Sequence, residues 1–178
     1  MRDLSLHILD LVENSLRAGA TVVAITVEVD EAADRLTIGV EDDGRGLSVP
    51  PEVAADPFYT TKSGKRVGLG LALAKSAAER AGGTAVIGPS ALGGTAVKMQ
   101  MGLSHIDRSP LGDLAATVAS VVCTSPGVDF RVRLRRGAAE WSVRLQEVAR
   151  EAPDDPLEQA RRMAEIVKKA QQNLTLLP

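Results

Sequence analysis

The chain of 178 residues is 44% hydrophobic, enough to bury a sizeable core, and has a formal net charge of −2 at pH 7. This balance argues against a strongly basic nucleic-acid binder. No apolar run is long enough to cross a bilayer and the N-terminus lacks a signal-peptide core, so we expect a cytoplasmic protein without a membrane partner. Cys123 is the single cysteine, which excludes an internal disulfide, and we expect it in the core.

A first helix is predicted over residues 3–17, with Gly19 as its C-terminal stop. Residues three or four apart share a helix face, so one stripe is apolar and the adjacent stripe is polar. The polar stripe consists of Asp3, His7, Asp10, Asn14 and Arg17. A solvated surface is the simpler explanation, but such surfaces usually carry Lys and Glu, so these short side chains favour a functional site.

Alternating apolar residues predict two strands between residues 23 and 40. Prolines and polar residues predict an irregular loop over 48–67, and a helix over 68–81 and two more strands before residue 101 follow it. This order predicts an α/β (α+β) two-layer sandwich, in which a mixed, mostly antiparallel sheet is covered by helices on one face.

Residues 104–110 are predicted to form a polar linker between an N-terminal domain over 1–103 and a small C-terminal α-β-β-α unit over 111–178. Helices are expected in that unit over 111–123 and 156–173. Its first strand alternates arginines with apolar residues, which favours a solvated face over one that binds an acidic partner. The two strands are expected over 130–135 and 140–145.

Five short motifs follow one another in the N-terminal part. They are DLVENSLRAGAT at 10–21, DDGRG at 42–46, DPFYTTK at 56–62, GLGL at 68–71 and GGT at 93–95. In this order they resemble the N, first glycine, F, second glycine and final Gly-Thr boxes of the GHKL ATPases, a superfamily of DNA gyrase, heat-shock chaperones, histidine kinases and MutL proteins. The first box is most similar to MutL, and the third and fourth are most similar to a histidine kinase's ATP-binding domain. The resemblance implies the Bergerat ATP-binding fold.

The resemblance also implies a role for individual residues at the nucleotide. Asn14 is expected to bind Mg²⁺ through its amide oxygen, since Mg²⁺ prefers hard oxygen ligands and takes further contacts from phosphates. Asp42 is expected to accept a hydrogen bond from the adenine amino group, where guanine has a carbonyl. Gly44 and Gly46 let the backbone lie close to the base, and Thr95 supports the adenine contact through water.

The GLGL motif opens a helix, so its free backbone N–H groups are expected to bind phosphate oxygens. These groups belong to Gly68, Leu69, Gly70 and Leu71. The histidine-kinase pattern usually has Gly-Thr before this turn, whereas Arg66 and Val67 stand there in this chain. Further cations are expected from Arg17, Lys62, Lys65 and Arg66, and a solvated lid tip is the alternative for Lys65 and Arg66.

Asp10 lies one helical turn before Asn14, where gyrase, MutL and the anti-sigma-factor kinases resemble one another in placing a catalytic Glu. We predict that Asp10 is the catalytic base, although its carboxylate reaches one methylene less far. His7 shares this face and is expected to be a helix or lid contact rather than a phosphoacceptor.

The predicted first helix stands at the start of the sequence, without a hairpin that carries a phosphoacceptor histidine, and residues 104–178 are too few for the transducer domain of gyrase or MutL. We therefore predict a stand-alone Mg²⁺-ATP-binding regulator, either a protein kinase or an ATP-dependent switch, that acts on a separate protein as anti-sigma-factor kinases do. The alternatives are a slow ATPase that drives dimerisation or lid closure and a non-catalytic nucleotide sensor. The expected partners are ATP, Mg²⁺ and a protein of unknown identity, with a homodimer as a further option.

Overall fold

A computed structural model of the protein describes residues 3–54, 69–152 and 155–174. Within these ranges the chain forms six helices and six strands. In chain order they are α1 (Leu4–Arg17), β1 (Val22–Asp30), β2 (Arg35–Asp42), α2 (Pro51–Ala54), α3 (Leu69–Arg80), β3 (Thr84–Pro89), β4 (Thr95–Gly102), α4 (Leu114–Thr124), β5 (Asp129–Arg136), β6 (Ala139–Arg144), α5 (Leu145–Glu151) and α6 (Pro156–Leu174).

The strands in these ranges form one sheet, in the order β3-β4-β2-β1-β5-β6. Each neighbouring pair is antiparallel except β1 and β5, which run parallel. Side chains of a strand alternate between the two faces, and in β1 the side chains of Val23, Ile25 and Val27 are fully buried while their neighbours are half-buried on the other face. The prediction of a mixed, mostly antiparallel sheet is confirmed.

The helices cover one face of this sheet. Side chains from α1, α3, α4 and α6 form one core cluster with the inward side chains of the strands. Ile8 on α1, Phe130 on β5 and Met163 on α6 are completely buried there. The opposite face carries polar side chains such as Thr26 and Lys98, which are half-buried and exposed, respectively. The predicted two-layer sandwich is therefore confirmed.

The ends of α1 agree with the sequence pattern. The Asp3 carboxylate accepts a hydrogen bond from the backbone N–H of Leu6 at 3.1 Å and so caps the first turn. Gly19, just beyond the last turn, has a φ of 79°, which glycine adopts without steric strain. The helix therefore begins and ends at the positions that its capping residues predict.

The C-terminal residues extend the same sheet. β5 pairs with β1 from Val22 opposite Asp129 to Val29 opposite Arg136. α4 packs against both α6 and α1. The predicted unit over 111–178 thus shares its sheet and its core cluster with the N-terminal residues, and its folding as a separate domain stays a prediction.

Two element boundaries in this part differ from expectation. α4 begins at Leu114, later than the predicted residue 111, because Gly112 has a φ of 77° and Asp113 caps the helix through a 2.8 Å hydrogen bond from a first-turn N–H. The strand predicted over 140–145 ends at Arg144 and leads directly into α5, a helix that the sequence pattern did not predict.

Two further observations concern the helices. Cys123 is exposed, contrary to expectation, because Val121 and Val122 occupy the buried side of the last turn of α4. Among the described residues, no helix combines the length and the apolar composition that a membrane span needs.

Candidate functional site

A buried carboxylate at the end of β2 is the centre of the first cluster. The Asp42 side chain is only 3% exposed and accepts three hydrogen bonds. The Ser15 hydroxyl donates to Oδ2 at 2.6 Å, and the backbone N–H groups of Gly44 and Thr95 donate to Oδ1 at 3.0 Å each. A carboxylate offers about four acceptor positions, and the described residues leave one of them, on Oδ2, to a ligand donor.

Glycines enclose this carboxylate. A Cβ added to Gly94 would lie 2.2 Å from Asp42 Oδ1 and 2.5 Å from the backbone nitrogen of Gly44. A Cβ on Gly44 would lie 2.9 Å from the Cβ of Ala18 on the neighbouring turn. Gly46 has a φ of 75°, a conformation that other residues rarely adopt. The main chain therefore reaches the carboxylate closely only because these positions carry no side chain.

The carboxylate of the neighbouring Asp43 binds the main chain and the side chain at the start of β1. Its carboxylate accepts hydrogen bonds from the backbone N–H groups of Thr21 and Val22 at 2.7 and 2.8 Å, and from the Thr21 hydroxyl at 2.6 Å. Desolvation raises the pKa of Asp43, but these hydrogen bonds outweigh it and set the pKa below its usual value. Asp43 thus fixes the turn after β2 to the start of β1 and leaves Asp42 free to point inward.

The second cluster joins α1 to the start of α3. A Cβ on Gly70 would lie 3.2 Å from Nδ2 of Asn14 and 3.7 Å from Oδ2 of Asp10. The first turn of α3 is therefore close to both side chains, and its backbone N–H groups belong to the positive end of the helix dipole. Leu71, in the same turn, packs against the core cluster and holds the helix end in place.

Arg17 completes the polar stripe of α1. Its Nη1 donates a hydrogen bond to Oδ1 of Asn14 at 2.7 Å, and its Nη2 pairs with Glu13. Two members of the predicted stripe are thus in contact, and the amide oxygen of Asn14 that is expected to bind a metal accepts a hydrogen bond from Arg17 in this conformation. A carbonyl oxygen has two lone pairs, so one acceptor position of Asn14 stays open.

The structure brings most of the predicted residues to these two clusters. Asp10, Asn14, Arg17 and Gly70 lie in one, and Asp42, Gly44, Gly46 and Thr95 lie in the other. Lys62, Lys65, Arg66 and Gly68 lie outside the described residues, and of Leu69 the structure describes the backbone, which begins α3. Their roles stay predictions.

Two residues of the site were not singled out by sequence reasoning. Ser15 follows Asn14 and reaches Asp42 from α1, and Gly94 sits directly against the same carboxylate. Their signals were present in the motifs ENS and GGT, but a serine or a glycine there is ordinary until the partner strand is known.

His7 is the buried member of the stripe. It is 2% exposed, and among the described residues neither of its ring nitrogens has a hydrogen-bond partner. Burial lowers the pKa of His7, and the cation of Arg80 acts in the same direction, against the carboxylate of Asp10. The imidazole is therefore held neutral beside Asp10.

The fold is a two-layer α/β domain, and its two polar clusters lie between the first helix, the end of the second strand and the start of a later helix. Residues 2–105 match the family model described as histidine kinase-, DNA gyrase B-, and HSP90-like ATPase. The chain belongs to this family of ATP-binding domains, which confirms the resemblance seen in its motifs.

Individual relatives match only in part. The sensor protein IrlS of Burkholderia pseudomallei (strain K96243) is 38% identical over 81 residues, which are 42% of this chain and 18% of that protein. The ATP-binding domain of PrrB from Mycobacterium tuberculosis is 27% identical, with a TM-score of 0.42, over 55% of this chain and 64% of that one. The N-terminal domain of a DNA repair protein is 12% identical, with a TM-score of 0.49, over 80% of this chain and 53% of that one. The chain thus spans less than a fifth of IrlS and under two thirds of either solved structure.

Proposed function

We propose that this protein is a Mg²⁺-ATP-dependent regulator that transfers phosphate to, or is switched by ATP to bind, a separate protein. The observation that supports it best is the meeting of Asp10, Asn14 and the start of α3 around Gly70. It gathers a carboxylate, a side-chain amide and a helix N-terminus, which are groups that phosphoryl transfer can use.

The adenine end of the site is formed by Asp42. Its remaining acceptor position on Oδ2 suits the exocyclic amino group of adenine. Guanine carries a carbonyl there, which would face the carboxylate acceptor to acceptor. Because the carboxylate is nearly excluded from water and fixed by three donors, this discrimination costs little reorganisation when the base arrives.

The residues present fit a magnesium ion at the other end. Among the described residues no group of three His, Cys, Asp or Glu side chains is arranged for a metal, and Mg²⁺ bound to a nucleotide needs few protein ligands because phosphates and water complete its shell. Asn14 would hold it through the amide oxygen that now accepts from Arg17. The ion would neutralise charge on the phosphates.

Asp10 would act on the attacking hydroxyl. Its carboxylate would accept the hydroxyl proton while the oxygen bonds to the γ-phosphorus and ADP leaves. Asp is shorter than the Glu of the related enzymes, but the absence of a side chain on Gly70 lets the phosphate-facing turn of α3 lie within 3.7 Å of this carboxylate when measured from the Cβ position. The close approach of this turn can therefore compensate for the shorter side chain of Asp10.

The test is an Asp10→Asn variant incubated with labelled ATP, Mg²⁺ and cell extract. We expect the wild-type protein to label one other protein, and Asp10→Asn to bind ATP with affinity within about twofold but to lose about 100-fold or more in transfer, the scale of general-base catalysis. Asp107→Asn, which removes an exposed carboxylate on a distant turn, should behave as wild type. Unchanged transfer in Asp10→Asn would remove Asp10 from the mechanism.

The same incubation separates the other candidate functions. Release of free phosphate without a labelled protein would replace the kinase with a slow ATPase. Tight ATP binding with neither product would leave a nucleotide sensor, in which the switch is the bound state itself. A failure to bind ATP in calorimetry would contradict all three.

A further inference from the structure

The face of the sheet opposite the helices carries chemistry that the nucleotide site does not use. In β5, Phe130, Val132 and Leu134 are buried against the helices, so the alternating arginines must lie on the opposite face. These are Arg131, Arg133 and Arg135. The pairing of β5 with β1 places them beside the centre of the sheet and not on an isolated hairpin.

Two of these cations and one arginine of β6 form an arginine cluster, which we define as Arg131, Arg133 and Arg144. Arg144 on β6 stands directly opposite Arg131, and Arg133 is opposite Ser142, the next same-face position along β6. Directly opposite and diagonal neighbours of an antiparallel pair lie about 5 to 8 Å apart. Like charges placed this way destabilise a strand pair, so stability of the sheet does not explain the arrangement.

The cluster is only partly neutralised. Arg131 pairs with the buried Asp129 at 2.7 Å, whereas neither Arg133 nor Arg144 has an ion pair within the part of the chain that the structure describes. The next arginine along the strand shows the contrast, since Arg135 has Glu28 at 3.7 Å. Two exposed guanidinium groups are thus left available to an anion.

A groove of about 540 Å³ runs beside the cluster. One row of strand partners crosses it, from Lys98 through Gly39 and Thr26 to Arg133. Gly39 and Thr26 form a low floor between the two cations, and a Cβ on Gly39 would lie 2.5 Å from the Thr26 hydroxyl oxygen. Beyond Lys98 the row ends at Val86, which is 63% exposed.

We propose that this face binds an acidic segment of a partner protein, whose carboxylates pair with the arginine cluster while an adjoining side chain occupies the groove. Guanidinium groups bind carboxylates in bidentate fashion, which gives such a contact both strength and direction. The proposal rests on the open face alone and is independent of the proposed nucleotide function.

Charge on the same face favours a protein segment over a nucleic acid. Glu28, Glu41 and Glu140 occupy outward positions around the groove and the cluster, and the whole chain has a net charge of −2. A continuous phosphate backbone would have to pass these carboxylates, whereas a short run of acidic side chains needs only the arginines.

The probe is a labelled synthetic peptide with a run of glutamates flanked by leucines, titrated with the full chain in an anisotropy experiment at low and at high salt. We expect salt-sensitive binding to wild type and binding weaker by about tenfold or more in an Arg133→Gln/Arg144→Gln double variant, since two charge-assisted contacts are removed. An Arg150→Gln/Lys168→Gln double variant removes the same charge from exposed positions on α5 and α6 and should bind within about twofold of wild type.

Four results would overturn the proposal, and three of them concern the peptides: no measurable binding of the glutamate peptide, equal binding of a matched peptide with glutamines, or equal losses in the two double variants. Tighter binding of a single-stranded DNA of similar length would also overturn it, in favour of a nucleic-acid surface. ATP calorimetry on Arg133→Gln/Arg144→Gln checks that the variant is folded, because neither arginine lies in the nucleotide clusters. A wild-type chain that binds the peptide but does not bind ATP would instead count against the proposed function alone.

Discussion

The two ends of the proposed nucleotide site are built in different ways. Asp42 is buried and receives hydrogen bonds from three separate segments, α1, the turn after β2 and the start of β4. Asp10 and Asn14 instead lie on one helix, and the start of α3 approaches both of them from another part of the described chain. The adenine end is fixed by the fold, whereas the phosphate end depends on how one helix terminus is placed.

We therefore expect ATP binding and phosphoryl transfer to depend on different ends of the site. A carboxylate that is fixed before the ligand arrives gives affinity and base selectivity without reorganisation. The amide of Asn14, which now accepts from Arg17, must exchange or share that contact when a metal and phosphates arrive. Changes at the adenine end should therefore weaken ATP binding most, whereas changes at the phosphate end should weaken it less and also lower turnover.

The largest effect is expected from Gly94→Ala. The new Cβ would lie 2.2 Å from Asp42 Oδ1, so the carboxylate or the β4 backbone must move. We expect a loss of about 1–3 kcal/mol in the free energy of unfolding and ATP binding weaker by about 100-fold, roughly 3 kcal/mol. Urea unfolding and calorimetry measure the two. Gly88→Ala on β3, where a Cβ meets nothing within 4 Å, is the matched control and should change neither by much.

Next in size is Asp42→Asn. The amide oxygen can take the place of Oδ1 and accept from the Gly44 and Thr95 backbone, but the NH₂ group then stands at the Oδ2 position and faces the adenine amino group donor to donor, so ATP affinity should fall by about 30-fold. Asp43→Asn keeps an oxygen for the N–H groups of Thr21 and Val22 but loses the negative charge that strengthens these bonds, so it should lower the urea midpoint slightly and leave ATP affinity within about twofold. Equal losses of affinity in the two variants would show that the adenine end is not centred on Asp42.

Gly70→Ala should act on the phosphate end with opposite signs on stability and binding. Alanine favours a helix over glycine by up to about 1 kcal/mol, so the free energy of unfolding should stay level or rise. The added Cβ would lie 3.2 Å from Asn14 Nδ2, so the amide must shift and Mg²⁺-ATP affinity should fall by about tenfold. ATP affinity is measured with and without Mg²⁺ to show whether the substitution acts through the metal contact. An equal loss of affinity in both conditions would mean that it acts elsewhere.

Much of this arrangement could be predicted from sequence because its signals are local. The helix over 3–17 carries its own cap in Asp3, and the polar stripe follows from helical periodicity alone. The partners of Asp42 are different, because Ser15 and Thr95 are separated from it by 27 and 53 positions. At the level of sequence, only the resemblance to a family related these segments to one another. Only the structure shows which atoms are in contact.

The C-terminal part shows the limit more clearly. The alternation in 130–135 predicted a strand, but no periodicity indicates that this strand runs parallel to β1. α5 was missed because a helix of seven residues directly after a strand carries too few turns for a periodic signal. Because β5 pairs with β1, its arginines lie on the open face of the main sheet and not on an isolated hairpin, and this changes what they can contact.

The smallest effect concerns His7, whose imidazole is buried on α1 one turn before Asp10. Burial holds its folded pKa below the ordinary 6.5, so between that value and the folded pKa the unfolded chain binds more protons than the folded chain. The free energy of unfolding should therefore fall as pH is lowered below about 6.5, by at most about 1.4 kcal/mol per pH unit from this residue. His7→Gln removes the titration, so the difference in the free energy of unfolding between this variant and wild type should be constant near pH 8. As the pH falls towards 5, the stability of the variant, measured in urea, should approach or exceed that of wild type. If the stability curves of the two proteins run parallel over this pH range, His7 keeps an ordinary pKa in the folded chain. The phosphate end would then contain a polar group whose burial the fold already compensates, as it does for Asp42 at the adenine end.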